Sequence, residues 1–314
     1  MAKPRANQLL VKLLSSAVIV AVLGFFARTL QANWQKLAGV DLQIDIWAAA
    51  AFVCFVLAVV VSGVLWGRLA NHLSTGPAMS IKDAVRIHCA SWLLKYIPGQ
   101  AGSYLNKLAW GRKNGFTKKL ITTSFIYENV LLVMAGAILS LPIIPVLIER
   151  LPGRTAGFLP YLLAILVVIM LSPSVFRWLL NIIMRLMRRD RFVESDFLSG
   201  VSIFKFQIEY LLPRLLNGIG FVLLAISILP TVEPSMYIGL AATYTFAGII
   251  GMLAIFIPGG IGVRESIIVL LASSYMPVEQ AIILSLVARL YTTVADIGVG
   301  LIYLSLNKWR IIQQ

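Results

Sequence analysis

Two Pro-Gly interruptions, set inside apolar stretches long enough to enter a bilayer, constrain this chain more than any other feature. The stronger one is Ile257-Pro258-Gly259-Gly260-Ile261-Gly262-Val263-Arg264-Glu265. Proline removes a backbone donor and glycine tolerates backbone angles closed to other residues, so a regular helix stops there. Inside hydrocarbon, non-helical backbone survives only where protein buries it or where it lines a wet cavity. An Arg-Glu pair at that depth is costly and marks a functional site by default. The second half of such a broken helix begins with unbonded N–H groups and, here, a guanidinium, both suited to an anion. A packing kink accounts for the proline and the glycines but not for Arg264 and Glu265 beside them.

The 314 residues are 59% hydrophobic and 13% charged, with a mean hydropathy of +0.88. Soluble domains run at about 45–50% apolar and about 25% charged. The chain therefore reads as an all-α integral membrane protein, with no polar stretch long enough for a separate soluble domain. The run at about 9–27 follows Lys3 and Arg5. It is long for a signal-peptide core and lacks a small-residue cleavage site, so it reads as a retained first span. The net charge of +14 is concentrated at the ends of apolar runs. That placement fits membrane flanks and anionic lipid headgroups, and argues against nucleic acid as a partner. Cys54 and Cys89 show no metal or redox spacing and read as inert thiols. No cofactor or metal is expected.

A spanning helix takes about 20 mostly apolar residues. Six stretches qualify as full transmembrane helices: about 9–30, 47–66, 120–141, 157–180, 206–229 and 280–305. Two more, about 82–116 and 236–276, are broken at Pro98-Gly99 and Pro258-Gly259-Gly260 and are expected as re-entrant helical hairpins. Lys3, Arg5 and Lys12 place the N-terminus in the cytoplasm, and Lys308 and Arg310 place the C-terminus there too. The basic residues of the first broken segment and its flanks, Lys107 among them, belong to the same cytoplasmic side. The expected location is the plasma (inner) membrane. With the first hairpin entering from the cytoplasm and the second from outside, 1–156 and 157–314 become two halves of one membrane domain. They share one order of elements in opposite orientation. Such inverted repeats mark many secondary transporters, whose substrate site lies between the halves near midplane. Alternatively, 236–257 crosses fully and 262–276 returns as a short span, and charge counting does not separate the two.

Several charges lie within the apolar stretches. Lys95, one turn before Pro98, reaches either a phosphate near the break or the cytoplasmic surface by snorkelling. His88 reads as a packed polar residue rather than a proton shuttle. Glu128 needs a cation, several donors or a proton. It is expected to balance Lys95 or Arg264, to carry a coupling proton, or to form a structural ion pair. In the fifth span Pro213 frees a carbonyl one turn back, and Arg214 just beyond it reads as a cavity-facing cation. Glu209 lies close enough to the cytoplasmic end to be interfacial. Arg289 and Asp296, seven residues apart, share one face of the last span. Neighbouring helix positions do not face each other, so Arg264 and Glu265 need separate partners. Glu265 with Arg289 is the expected pair, leaving Arg264 for substrate.

These residues compose a candidate binding site. Arg264 is the main phosphate contact, Lys95, Arg289 and Arg214 are supporting cations, and Gly259, Gly260 and Gly262 supply the broken backbone. Glu128, Glu265 and Asp296 serve as counter-ions or proton carriers. The apolar surroundings fit a phosphate bearing acyl or prenyl chains better than a free sugar or amino acid.

The run Pro258 to Glu265 resembles the hallmark of the lysylphosphatidylglycerol synthase transmembrane (flippase-like) family. Lys95-Tyr96-Ile97-Pro98-Gly99 is similar to that family's first Pro-Gly motif, and Glu128 is similarly placed between the two. The resemblance covers essentially the whole chain. Gln100-Ala101 stands where many relatives carry a basic residue. The resemblance implies a multi-span lipid translocase moving an anionic or aminoacylated phospholipid, or a polyprenyl-phosphate-linked lipid, between leaflets. In the full-length synthases a soluble aminoacyltransferase domain follows. Here the sequence ends at Gln314, so a stand-alone membrane domain without synthase activity is expected.

Two other classes stand beside this one. The first is a non-transporting accessory subunit that docks a glycosyltransferase or lipid-modifying enzyme through the basic loops at 107–119 and 185–191. The second is an intramembrane enzyme. No Cys-His, Ser-His-Asp or His-Glu-x-x-His arrangement supports it, so no enzymatic activity is expected.

Overall fold

In a computed structural model, residues 45–95, 97, 100–150, 178, 181–182, 197–254 and 257–312 are described. Regular structure among them is helical: α1 (Ile46–Leu73), α2 (Ile81–Leu93), α3 (Ala101–Lys113), α4 (Lys118–Leu139), α5 (Ile144–Arg150), α6 (Gly200–Ile228), α7 (Tyr237–Leu253), α8 (Val263–Ala272) and α9 (Val278–Ile312). Short 3₁₀ turns lie at Leu141–Ile143, Pro234–Met236 and Pro258–Gly260.

Among the described residues, five segments are long and apolar enough to cross a membrane: Ile46–Leu73, Lys118–Leu139, Gly200–Ile228, Pro234–Leu253 and Val278–Asn307. Together with the apolar composition they make this a multi-pass membrane protein. Four of them coincide with the spans expected at 47–66, 120–141, 206–229 and 280–305. The expected span at 9–30, and that at 157–180 apart from Trp178, lie outside the described residues.

The fifth segment separates the two broken stretches, and its length is that of the alternative reading in which 236–257 crosses fully and 262–276 returns as a short span. In the first, α2 and α3 have 13 residues each, about 20 Å at about 1.5 Å per residue. In the second, Pro234–Leu253 counts 20 residues and α8 only 10. The long arm matches a hydrocarbon core of about 30 Å, whereas α8 spans about 15 Å. Most of the asymmetry lies in α7 itself, with 17 residues against 10 in α8, and the 3₁₀ turn at Pro234-Ser235-Met236 adds three more.

The elements start where caps start them. Asp45 accepts from the Ala48 amide at 2.8 Å to open α1, and Ser227 Oγ donates to the same oxygen at 2.8 Å, tying that start to the end of α6. Ser80 opens α2 by accepting from the Asp83 amide at 3.1 Å, and Thr117 opens α4 by accepting from Leu120 N at 3.2 Å. Small residues then let helices approach, as membrane packing requires where lipid is as apolar as the side chains. Gly63 and Gly67 form one stripe on α1 against α2: a Cβ on Gly67 would lie 2.4 Å from the Ala84 Cβ, and one on Gly63 3.0 Å from the His88 Cβ. Gly220 of α6 meets α1 at Cys54 and Ala51 in the same way. The main core gathers α1, α6, α7 and α9, with Phe221 stacked on Tyr244 at 4.6 Å between ring centroids.

One order of elements recurs. A long helix, an interrupted pair and a long helix follow one another as α1, α2–α3 and α4, and again as α6, α7–α8 and α9.

The α1–α2 approach yields a direct check. Gly67→Ala should lower the unfolding free energy in mixed micelles by about 1–3 kcal/mol through overpacking. Gly76→Ala, whose added methyl meets nothing within 4 Å, should stay within about 0.5 kcal/mol of the parent.

Candidate functional site

The second break is built by backbone that only glycine supplies cheaply. Gly259, Gly260 and Gly262 take φ of +61°, +64° and +82°. At Gly260 a Cβ would also fall 2.8 Å from the Gly251 Cα and 2.9 Å from its carbonyl oxygen, so the break lies directly on α7. Glu265 reaches back to cap α8, its Oε2 accepting from the Gly262 amide at 2.6 Å. Its Oε1 lies 3.6 Å from Arg289 Nε, and Arg289 Nη1 donates to the Gly259 carbonyl at 3.4 Å. The expected Glu265–Arg289 pair is thus present, and both side chains hold the bend itself. Arg264 turns the other way. Its stem crosses Gly251, where a Cβ would come within 2.4 Å of Arg264 Cγ, and its guanidinium carbon lies 5.0 Å from the Tyr244 ring centroid.

The first break is clamped by the last helix. Lys95 Nζ lies 2.7 Å from both Asp296 oxygens, and Trp92 Nε1 donates to Oδ1 at 2.8 Å. The ammonium also sits 4.3 Å over the Trp92 ring centroid. Lys95 therefore turns inward to α9 rather than snorkelling. Beyond the break, Gln100 holds φ +53°, sparsely used by residues with a side chain, and caps α3 with no side-chain bond.

Asp296 grips the first break and Arg289 the second, from one face of α9. Seven residues separate them, so the two grips stand about 10 Å apart along the helix axis.

Glu128 has different partners from those expected. It pairs with Lys107 of α3 through Oε2, and His88 Nδ1 lies 3.1 Å from its Oε1 and 3.3 Å from Lys107 Nζ. Neither Lys95 nor Arg264 serves it in these contacts. Lys107, read from sequence as part of the cytoplasmic basic flank, is 2% exposed and lies 4.2 Å over the Trp66 ring centroid. The reason is its helical register. Ser103 and Lys107, one turn apart, share the face of α3 that packs on α2, where Ser103 Oγ bonds the Ser91 carbonyl at 2.6 Å. Glu209 bonds Arg68 at 2.9 Å, the more exposed arrangement its position predicts.

Most of these groups line one cavity of about 500 Å³. Its wall includes Lys95, Lys107, Arg214 and Arg264 against Glu128 and Asp296, four cations to two carboxylates, together with His88 and the backbone of Gly259 and Gly260. Arg214, just past Pro213, is held there by Nε donating to the Leu132 carbonyl at 3.0 Å and Nη2 reaching Met252 S at 3.5 Å. Arg289, Glu265 and Gly262 lie behind the wall, in the frame of the bend. Sequence reasoning did not find Lys107, Trp92 or Tyr244 as site residues. For Lys107 a signal was available, since it lies seven residues from Gln100 and so on the break's own face of α3.

The two ion pairs differ in depth, with side-chain exposures of 2% and 4% for Lys107–Glu128 and 20% and 12% for Lys95–Asp296. Lys107→Met strands a buried carboxylate and should lower the unfolding free energy by about 3–5 kcal/mol. Lys95→Met should cost less, because Asp296 retains the Trp92 donor and partial exposure. The paired change Lys107→Met with Glu128→Leu should recover most of the first loss when all are compared by denaturant titration in one micelle system.

Comparison with known proteins adds an independent finding. The family model for the lysylphosphatidylglycerol synthase TM region matches residues 10–300. No curated protein matches the chain. The family match runs over nearly the whole sequence and takes in both breaks, Glu128, Arg289 and Asp296. The chain belongs to the lysylphosphatidylglycerol synthase transmembrane-region family, a membrane lipid-related one.

Proposed function

We propose that this protein is a lipid translocase that carries an anionic phosphate headgroup through the cavity between its two breaks. The observation that carries the reading is the cationic excess of that cavity, two positive charges over its carboxylates, inside a multi-pass membrane protein. Charge in such a place is costly unless it meets a counter-charge, and a phosphate supplies one. A volume of about 500 Å³ falls within the range of pockets that enclose a small ligand. It takes a headgroup, while the acyl or prenyl chains stay among the helices and in the bilayer. Substrates that satisfy this chemistry are anionic or aminoacylated phospholipids and polyprenyl-phosphate-linked lipids.

In this reading Arg264 and Arg214, both laid against α7 at Gly251 and at Gly248 and Met252, bind the phosphate, and the Lys95 ammonium joins them at the first break. Arg289 and Glu265 act by holding the second bend in place. Asp296 competes with the phosphate for Lys95, so a headgroup that takes over Lys95 loosens the grip of α9 on the first break. That exchange gives a route from binding to movement. The recurrence of one element order in both halves supports an inverted repeat of 1–156 and 157–314, with the two breaks facing one cavity. Both termini would then face the cytoplasm, in the plasma (inner) membrane. No covalent chemistry on the lipid belongs to this function.

Proteoliposomes bearing a fluorescent phosphatidylglycerol test it. The parent should expose the label to a membrane-impermeant quencher faster than protein-free vesicles do. Arg264→Ala should slow this by about tenfold or more, the equivalent of one charge-assisted hydrogen bond. Equal rates for the two proteins would remove Arg264 from the phosphate site. No transfer by well-folded parent, with a glycosyltransferase or lipid-modifying enzyme co-purifying, would favour the accessory-subunit function instead.

A further inference from the structure

The cavity has a second charged pole that phosphate binding does not use. Lys107, His88 and Glu128 come from α3, α2 and α4, and each is at most 5% exposed. Lys107 donates to Glu128 Oε2, while His88 Nδ1 stands 3.1 Å from Oε1 and 3.3 Å from the Lys107 ammonium. One ring nitrogen thus faces an acceptor and a donor together. Bare, it accepts from Lys107 and meets a carboxylate lone pair. Protonated, it donates to Glu128 and meets the ammonium. A proton placed between Oε1 and Nδ1 turns the lone-pair clash into an O–H···N or N–H···O bond. The surroundings leave room for further proton exchange. His88 Nε2 and the Tyr210 hydroxyl are buried and bond to no described group.

We propose that the Lys107–His88–Glu128 cluster is a proton-binding site that couples lipid movement to a transmembrane proton gradient. The inference rests on the translocase reading and names its energy source. All three residues line the same cavity as the phosphate cations, so a proton reaches them by the path open to the headgroup. The proton binds between Glu128 and His88 and leaves from the same pair once the site faces the other side, so no other reactant is needed. Each group sits on a different element, so protonation changes the attraction that holds α2 and α3 against α4.

The groups around the carboxylate are accounted for element by element. Lys107 faces it from α3 and His88 from α2, and Tyr210 of α6 interacts with it electrostatically. From α1 comes the neutral Trp66 ring beneath Lys107, with Arg68 engaged by Glu209 of α6. Arg214 of α6 bonds the α4 backbone at Leu132, and α7 contributes Tyr244 to the cavity wall. On the far side Asp296 of α9 is engaged by Lys95.

The experiment uses the full chain in proteoliposomes with fluorescent phosphatidylglycerol outside and in, a pH-sensitive dye in the lumen, and an imposed one-unit pH gradient. A one-unit gradient is a tenfold driving ratio per proton. The parent should shift the leaflet distribution of the label by up to about tenfold, with a lumenal pH change that requires the lipid. Lys107→Gln with Glu128→Gln, which removes both charges together, should abolish the gradient response while its melting curve stays close to the parent's. His88→Asn, which leaves the Lys–Glu pair in place, should weaken the response severalfold and covers the case in which the paired variant fails to fold. Parent protein that equilibrates lipid identically with and without the gradient, and moves no protons, overturns the coupling and leaves the translocase reading standing. Parent protein that moves no lipid under either condition overturns both. A full gradient response in either variant overturns the assignment to these residues.

Discussion

Hydrocarbon solvates neither an unbonded carbonyl nor a bare charge, and the unusual contacts of this chain follow from that constraint. Two breaks in helical backbone expose groups that need partners, and α9 supplies them from one face. Arg289 reaches the Gly259 carbonyl and Glu265, and Asp296 takes Lys95 and the Trp92 indole. Both breaks therefore depend on a single rigid element. The cavity is the space left between them, walled on its other sides by α1, α4, α6 and α7.

The charges of that cavity fall into two groups with different environments. Around the breaks, Lys95, Arg214 and Arg264 are partly accessible and held by contacts a competing anion can replace or share: a carboxylate, a backbone carbonyl and an aromatic face. Deeper against α1, Lys107 and Glu128 are almost wholly enclosed, with His88 touching both. A partly wet cation site suits a ligand that comes and goes. An enclosed pair with one ambiguous ring nitrogen suits an exchange as small as a proton. In the proposed function, this spatial separation would keep the headgroup and the proton from competing for one cation.

Much of this was legible in the sequence because the relevant signals are local. Run length located the spans at α1, α4, α6 and α9, and Pro-Gly located both breaks. Adjacent helix positions cannot share a partner, which pointed Glu265 to Arg289 and Arg264 elsewhere. What depends on a neighbouring element was hidden. Lys107 sits in a stretch with Arg112, Lys113, Lys118 and Lys119, so charge counting placed it on a solvated flank, whereas helical register turns it inward onto Glu128. Lys95 and Asp296 are 201 positions apart, and nothing local joins them. The Gly63–Gly67 stripe carries no charge and no break, yet it sets how closely α2 approaches α1 and so where His88 stands. The unequal arms of the second broken segment, 17 residues in α7 against 10 in α8, are made more unequal by the 3₁₀ turn at Pro234, which hydropathy does not register.

The most direct measurement is a cryo-electron microscopy map of the protein in nanodiscs rich in phosphatidylglycerol. The expected map places headgroup density between the two breaks, within hydrogen-bond reach of the Arg264 and Arg214 guanidinium groups. Acyl density should run outward from it between helices. A map in which that space holds only acyl chains, or in which both guanidinium groups point away from the bound lipid, contradicts the central claim.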